Sequence, residues 1–235
     1  MRTLAWEGCR NVRDLGGLPT EDGGETRFGG VVRADNLRRL SESGWRSLLD
    51  YGVRSAVDLR RPDELVVDPP GDAPIDIVHL DLCPLDLIHA EVALRLEDAY
   101  LDMLATFHSN FARAIAAVAR APAGGVVVHC LVGRDRTGLV AALLLRVAGV
   151  EPRAVAADWA ESEANLAAEL RAWVAAAPEP RERARRLGFV DGASAGAMEG
   201  VLGELDRRYG GAARYLREGG AEEAELDLVI ARLRG

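Results

Sequence analysis

Residues 126–145, VVVHCLVGRDRTGLVAALLL, combine a short apolar run, a polar loop rich in glycine and arginine, and a second apolar segment. The run at 126–129 has the length and composition of a strand buried on both faces, and the leucines that follow recur at helical spacing. A strand that leads through a loop into a helix begins a parallel α/β unit, and such sheets bind ligands at the carboxyl ends of their strands. The loop at 130–137 therefore lies where a functional site is expected.

The chain on both sides of this stretch alternates between predicted strands and helices. Segments rich in β-branched residues predict strands at 29–35, 53–59, 75–80 and 126–129. Segments with apolar residues at helical spacing predict helices at 41–52, 91–104, 109–121 and 139–147. From residue 152 onward the pattern predicts helices, interrupted by a loop or mobile segment at 177–196. We therefore predict a single α/β domain over 1–235, with a mainly parallel central sheet flanked by helices and a helical C-terminal part.

Composition narrows the classes of function. The formal net charge is −8, which argues against a nucleic-acid or membrane-surface binder but leaves room for a local basic pocket. No stretch is long and apolar enough to span a bilayer, and the N-terminus lacks a signal-peptide pattern. Cys9, Cys83 and Cys130 form neither a zinc pattern nor a disulfide framework. We expect a reducing, cytoplasmic setting with no metal, no cofactor and no nucleic-acid partner; the sequence makes no prediction about the oligomeric state.

The loop itself has the composition of an anion site. Gly133 permits a tight turn, and the N–H groups of a loop between a strand and a helix can converge on an anion. Arg136 adds a fork of donors that matches phosphate oxygens. The same positive field favours the thiolate form of Cys130, which beneath a bound phosphoryl group is an in-line nucleophile.

A cysteine that only fills space in the core is the alternative interpretation of Cys130. Its neighbours disfavour that interpretation, because no apolar pocket accommodates the polar side chains of His129, Arg134, Asp135 and Arg136. The chain contains no lysine, which excludes the phosphate loop that depends on one. The loop therefore indicates nucleophilic phosphate chemistry.

The segment HCLVGRDRTG (129–138) resembles the H-C-x5-R-[ST] signature of the cysteine-dependent protein tyrosine phosphatases, and more narrowly the bacterial tyrosine and phosphoinositide phosphatases with H-C-x-x-G-K-D-R-T-G. The resemblance extends to NVRDLGGLPTEDG (11–23), RADNLRRLSESG (33–44), VRSAVDLRRPDE (53–64) and RRYGGAARYLRE (207–218). It implies a tyrosine phosphatase-like fold and hydrolysis of phosphate monoesters, with a phosphotyrosine protein or a small phosphorylated molecule as the partner.

The resemblance also implies a role for each residue of the loop. Cys130 would form a cysteinyl-phosphate, while Arg136 would stabilise the charge on the phosphoryl oxygens in the transition state. His129 would orient the loop, and Thr137 would hydrogen-bond the cysteine sulfur. The phosphate-binding residues implied in this way are Leu131, Val132, Gly133, Arg134, Asp135 and Arg136.

Three aspartates are candidates for the general acid. The resemblance favours Asp135, inside the signature, whose alternative role is a solvated loop charge or a helix cap. In other relatives the acid comes from a separate loop that precedes the signature. Asp86 and Asp81 precede it here and are therefore the next candidates.

Further polar residues are predicted near the loop. Asp58 and Arg60 end a predicted strand at the same edge of the sheet, where they would support the loop, and a surface ion pair is the alternative. Three residues match the N-terminal motif of the family: Asn11, Arg13 and Asp14. Turn formation ahead of the glycine pair at 16–17 is the alternative for these three.

Two alternatives to protein phosphotyrosine remain open at this point. Relatives that act on phosphoinositides usually carry lysine where this chain has Arg134, and arginine keeps the charge but not the shape. A phosphatase for a phosphoinositide or another small phosphorylated metabolite is the first alternative. An inactive phosphate-binding module is the second, and the intact Cys130, Asp135 and Arg136 argue against it.

Two segments outside the signature carry further hypotheses. Relatives cover their pockets with helices from the C-terminal region, so we predict a mobile helical lid at about 160–196, with an ordinary surface excursion as the alternative. Cys83 follows a predicted strand whose end shares a sheet edge with Cys130. It is a resolving thiol for oxidised Cys130 or a packed core residue.

Overall fold

A five-stranded sheet forms the centre of the structure. Its strands are β1 (Arg13–Asp14), β2 (Val31–Ala34), β3 (Val53–Asp58), β4 (Asp76–His79) and β5 (Gly125–His129). They lie in the order β1-β2-β5-β3-β4, and all neighbours pair in parallel except the antiparallel edge strand β1. The computed structural model describes residues 1–69, 71–83, 95–192 and 194–235. The predicted mainly parallel α/β fold is confirmed.

Helices cover both faces of the sheet and make up the C-terminal part, as predicted. They are α1 (Glu42–Asp50), α2 (Pro62–Val67), α3 (Leu96–Thr106), α4 (His108–Ala119), α5 (Asp135–Val147), α6 (Pro152–Asn165), α7 (Ala167–Ala175), α8 (Pro180–Asp191), α9 (Ala195–Tyr209), α10 (Ala212–Glu218) and α11 (Glu223–Arg234). Across the described ranges, no helix combines the length and the apolar composition needed to cross a bilayer.

Strand β5 is buried on both faces, which explains its unbroken apolar sequence. Val126 and Val128 pack into the larger core together with the leucines of α5, while Val127 points into a second core on the opposite face. Alternate side chains of a strand point to opposite faces, so a strand between two cores needs apolar residues at every position.

The interpretation of 177–196 as a loop was wrong for most of its length, because α8 occupies Pro180–Asp191. Mobility of this segment stays a prediction. Proline is favoured at the first position of a helix, where its missing N–H costs nothing. Glu182 then pairs with Arg185 and Arg186 one turn later, at 2.7 Å in each case. Local ion pairs at this spacing stabilise a helix that buries few of its residues.

The register of the parallel strands positions the loop. His129 aligns with Ala34 on one side and with Asp58 on the other, so three strands end at the same level. Residues 130–134 follow β5 directly at this carboxyl edge and lead into α5. Backbone N–H groups of a helix start and the ends of three strands therefore surround one point.

Candidate active site

Cys130 lies at the floor of a cavity of about 370 Å³ and is 1% exposed. The loop residues Leu131, Val132, Arg134, Asp135 and Arg136 line the same cavity. Its opposite wall comes from the C-terminal helices and the turn before them, through Leu166, Glu169, Leu170, Trp173 and Phe189. The structure thus brings the predicted signature residues together beneath a largely apolar wall.

Gly133 allows the loop to turn back against strand β2. Its φ is +69°, a left-handed conformation that L side chains rarely adopt. A Cβ atom here would lie 2.4 Å from the carbonyl oxygen of Ala34. Only glycine fits, so the tight turn inferred from the sequence is a steric requirement of the loop.

Arg136 is held in place by a carboxylate that the sequence reasoning missed. Its Nη1 and Nη2 donate to the two carboxylate oxygens of Glu64 at 2.5 and 2.7 Å, and Nη1 also donates to the Leu59 carbonyl at 3.2 Å. Burial by itself lowers the pKa of Arg136, but the charges of Cys130 and Glu64 outweigh it and the pKa is raised. The guanidinium beside Cys130 is therefore a permanent cation in a fixed orientation.

Asp135 begins α5 and is only 9% exposed, so it is not the solvated loop charge of the alternative prediction. The hydroxyl of Tyr100, on α3, donates a hydrogen bond to Asp135 Oδ1. Arg134 Nε lies 3.8 Å from the same oxygen. Asp135 therefore lines the cavity with one carboxylate oxygen already engaged.

Arg134 has its charge satisfied inside the protein. Its Nε lies 2.8 Å from Glu163 Oε1, and its guanidinium carbon lies 4.8 Å from the ring centre of Phe189 and 5.8 Å from that of Trp159. Burial lowers the pKa of Arg134, but the nearby Asp135 carboxylate and other anionic groups raise it above the usual value. Arg134 therefore connects the loop to α6 and α8.

Asp58 and Arg60 form a buried ion pair beneath the loop, so the alternative of a surface ion pair was wrong. They are 2% and 1% exposed, and Arg60 Nη2 donates to Asp58 Oδ2 at 2.8 Å. Parallel pairing of β3 with β5 places Asp58 directly beside His129, with 3.9 Å between Oδ1 and Nε2. Burial lowers the pKa of His129, which makes it a neutral ring at physiological pH.

Asn11 and Arg33 hold the loop from behind. Asn11 Nδ2 donates to the carbonyls of Gly133 and Val132 at 3.0 and 3.3 Å, and Arg33 Nη2 donates to the Gly133 carbonyl at 2.8 Å. A peptide carbonyl bound on one side of the loop turns the neighbouring N–H groups towards the other side. These donors therefore favour an anion-binding arrangement of the loop amides.

Both of these side chains belong to one buried network with Asp158 on α6. Arg13 Nε donates to Asp158 Oδ1 at 3.0 Å, and Arg33 Nη1 donates to Oδ2 at 2.7 Å. Arg13 Nη1 also donates to Asn11 Oδ1 at 2.6 Å. Burial raises the pKa of Asp158, but its arginine partners lower it to about 2 overall. Neither Asp158 nor Arg33 was singled out from the sequence, although Arg33 opens the stretch 33–44 that carries part of the family resemblance.

Asp14 differs from its two neighbours in the motif. Its Oδ1 accepts a hydrogen bond from the Gly16 N–H at 2.6 Å, and Oδ2 accepts from the Gly29 N–H at 2.8 Å and from the Tyr51 hydroxyl at 2.6 Å. The alternative of turn formation is confirmed for Asp14, whereas Asn11 and Arg13 belong to the network behind the loop.

A model of the tyrosine phosphatase family matches residues 4–235 of this chain. The chain belongs to the tyrosine phosphatase family. A tyrosine-protein phosphatase from Nostoc commune is 30% identical over 216 residues, which cover 86% of this chain and 73% of that protein. The triple specificity protein phosphatase PtpB of Mycobacterium tuberculosis is 26% identical over an alignment of 274 positions. The alignment covers 97% of this chain and 96% of that protein.

A solved structure, TpbA of P. aeruginosa in complex with pTyr, aligns with 74% of this chain and 86% of its own at 16% identity. The TM-score of 0.34 is too low for a detailed comparison of the two folds. The family match and the sequence relatives identify this chain as a protein tyrosine phosphatase, a hydrolase of phosphate monoesters.

Thr137 of the phosphatase is fully buried, and its hydroxyl has no hydrogen-bond partner among the described residues. The bond to the Cys130 sulfur that the resemblance implied is therefore not formed in this arrangement. The hydrogen bond from Thr137 to the sulfur therefore stays a prediction.

The other thiol of interest, Cys83, lines the same cavity as Cys130. It is buried, and burial raises the pKa of Cys83 to about 12, so this thiol stays protonated at neutral pH. All three cysteines are free. A resolving role for Cys83 stays a prediction, with the thiols now located in one cavity.

The two alternative candidates for the general acid are Asp86 and Asp81. Asp86 lies outside the described residues. Asp81 is not among the residues that line the cavity, and burial raises its pKa.

Within the described part of the chain, no group of three or more His, Cys, Asp or Glu side chains is arranged to hold a metal ion.

Proposed function

We propose that this phosphatase hydrolyses phosphotyrosine in proteins, with Cys130 as the nucleophile, Arg136 as the phosphate clamp and Asp135 as the general acid. The observation that carries the proposal is the cavity that holds all three side chains, with a thiol at its floor and a fixed guanidinium beside it. No metal or cofactor takes part in this mechanism.

In the first step the thiolate of Cys130 attacks phosphorus in line with the ester oxygen. The sulfur–phosphorus bond forms as the bond from phosphorus to the tyrosine oxygen breaks, and Asp135 gives its proton to that oxygen. The amides of 131–136 and Arg136 hold the phosphoryl oxygens, whose charge they stabilise most strongly in the transition state. The products are the substrate protein with an unmodified tyrosine residue and a cysteinyl-phosphate on Cys130.

In the second step water attacks the cysteinyl-phosphate. Asp135, now ionised, takes a proton from that water as its oxygen bonds to phosphorus, and the sulfur leaves as a thiolate. This step releases inorganic phosphate and restores both groups to their starting states. His129 and the buried pair of Asp58 and Arg60 support the loop throughout and exchange no proton with the substrate.

The cavity suits an aromatic phosphate ester. Its walls carry apolar side chains suited to a phenol ring, including Leu170, Trp173 and Phe189. Arg134, the residue that replaces the lysine of phosphoinositide phosphatases, is engaged by Glu163 and the Phe189 ring. Arg134 is therefore already paired with groups of the protein itself.

A reducing compartment, such as the cytoplasm, suits this mechanism. The nucleophile acts only as a thiolate, and all three cysteines are free. Oxidation of Cys130 would remove the attacking electron pair and stop turnover.

Asp135→Asn tests the general acid. We expect the variant to hydrolyse phosphotyrosine about 10²–10⁴-fold more slowly, because the leaving phenol receives no proton as it departs. Esters with very acidic leaving groups need no proton and should slow far less. Rates on a series of aryl phosphates, plotted against the pKa of the phenol released, measure this difference.

The matched control for this test is Asp81→Asn, which makes the same change at an aspartate outside the cavity lining. It should leave the dependence on the leaving group as it is in the wild type. If Asp135→Asn slows every ester equally while Asp81→Asn steepens the dependence, the acid is Asp81 and the assignment above is wrong.

Helices α7 and α8 are proposed to form a gate over the cavity, within the lid predicted at 160–196. Trp173 on α7 packs edge-on against Phe189 on α8, with 6.0 Å between ring centres, and both line the cavity. We expect vanadate binding to increase the protection of 167–191 from hydrogen exchange, with α11 as the unaffected reference. Unchanged protection would identify α7 and α8 as an ordinary surface excursion.

A further inference from the structure

Tyr100 contacts the general acid from outside the signature. It lies on α3, thirty-five residues before Asp135, and its side chain is completely buried. Its hydroxyl donates to Asp135 Oδ1. No element of the signature supplies this hydrogen bond, and the mechanism above does not use it.

The ring of Tyr100 has little freedom to move. Trp159 packs against it edge-on, with 5.8 Å between ring centres and an interplanar angle of 89°. Trp159 in turn packs against Arg134, with 5.8 Å between its ring centre and the guanidinium carbon. A fully buried aromatic ring packed against a second ring holds its hydroxyl at one position.

The two oxygens of Asp135 are therefore not equivalent. Oδ1 accepts from Tyr100 and lies 3.8 Å from Arg134 Nε. For Oδ2, no hydrogen bond occurs among the described residues. A proton on the carboxyl is accommodated at Oδ2, because Oδ1 already receives a donor.

We propose that Tyr100 is a positioning residue for the general acid, which occupies Oδ1 of Asp135 so that Oδ2 carries the proton to the leaving oxygen. This inference rests on the proposed role of Asp135. The tyrosine exchanges no proton itself: burial, and next the charge of Asp135, hold its pKa well above the usual range.

Tyr100, Arg134 and Glu163 are the charged or titratable groups that face Asp135. A hydrogen bond donated to a carboxylate stabilises its ionised form. Of these three groups Tyr100 is the one that donates a hydrogen bond to the carboxyl, so removal of its hydroxyl leaves Oδ1 without this donor.

Tyr100→Phe tests the proposal, with Tyr215→Phe as the matched control. Tyr215 is equally buried, and its hydroxyl donates to the Leu104 carbonyl at 2.7 Å, away from the cavity. We expect Tyr100→Phe to lower kcat about tenfold on esters with poor leaving groups. It should also steepen the dependence on the leaving group. Tyr215→Phe should change none of these.

The same variant in the Asp135→Asn background separates the two hypotheses. If Asp135 is the acid and Tyr100 acts through it, Tyr100→Phe has no further effect on the leaving-group dependence of Asp135→Asn. If Asp135→Asn behaves as expected but Tyr100→Phe resembles Tyr215→Phe, only the role of Tyr100 is overturned. If Asp135→Asn leaves the dependence unchanged, the acid assignment fails and the inference fails with it.

Discussion

Cys130→Ser is expected to lower phosphotyrosine turnover at least about 10³-fold while leaving vanadate binding measurable. A serine hydroxyl at the floor of the cavity remains protonated and has no base beside it, because His129 lies behind the loop next to Asp58. The loop amides and Arg136 are untouched by the substitution. The variant therefore loses the covalent step and keeps the anion site.

Steady-state rates and a vanadate titration of the same preparations measure these two properties. Cys9→Ser is the matched control, since Cys9 is a free thiol outside the cavity lining and its loss should leave both unchanged. A chelator should leave the wild-type rate intact. Robust turnover by Cys130→Ser, or a rate that depends on added metal, would contradict the mechanism.

Arg136→Lys is expected to reduce kcat/KM about 10²–10³-fold although the charge is kept. Arg136 bonds both oxygens of Glu64 and the Leu59 carbonyl, and this fixes the plane of its guanidinium beside Cys130. An ammonium group cannot bridge both carboxylate oxygens and still offer a planar pair of donors to a phosphoryl group. Glu64 then loses half of a buried charge-assisted contact.

Arg146→Lys controls for the loss of an arginine from the same helix. Arg146 Nη1 bonds Glu21 and the Val150 carbonyl near the far end of α5, at 2.8 and 2.5 Å. Its replacement should leave kcat/KM and vanadate affinity close to those of the wild type. Near-normal turnover by Arg136→Lys would mean that charge alone, without the planar fork, stabilises the transition state.

The fold was predictable where burial dictates the residue type. Strand β5 lies between two cores, so Val126, Val127 and Val128 all had to be apolar, and that run was visible in the sequence. The two-residue strand β1 and the six-residue helix α2 were missed, because neither is long enough to set up a period. Helix α8 was missed because it buries little surface and depends on ion pairs around Glu182.

The site was predictable where the chemistry is local in sequence. Cys130, Asp135 and Arg136 lie within seven residues of one another. Their side chains are of the types that serve as a nucleophile, an acid and a phosphate-binding cation. Glu64 was missed although the Pro62 that opens its helix is a recognisable start signal, which would have placed an acid near the sheet edge. Tyr100 and Asp158 carry no local signal, since a buried tyrosine and a helical aspartate acquire their partners only when distant segments pack.

The network behind the loop has a consequence for the order in which the chain folds. Asp158 binds Arg13 and Arg33, which lie 145 and 125 residues earlier in the sequence. Contacts between such distant segments form late, since the chain must first close a very long loop. When the ribosome has just synthesised the signature, Asp158 has not yet been added to the nascent chain. We therefore expect the nascent chain to gain catalytic competence only after α6 has docked, so that recovered turnover marks the end of refolding.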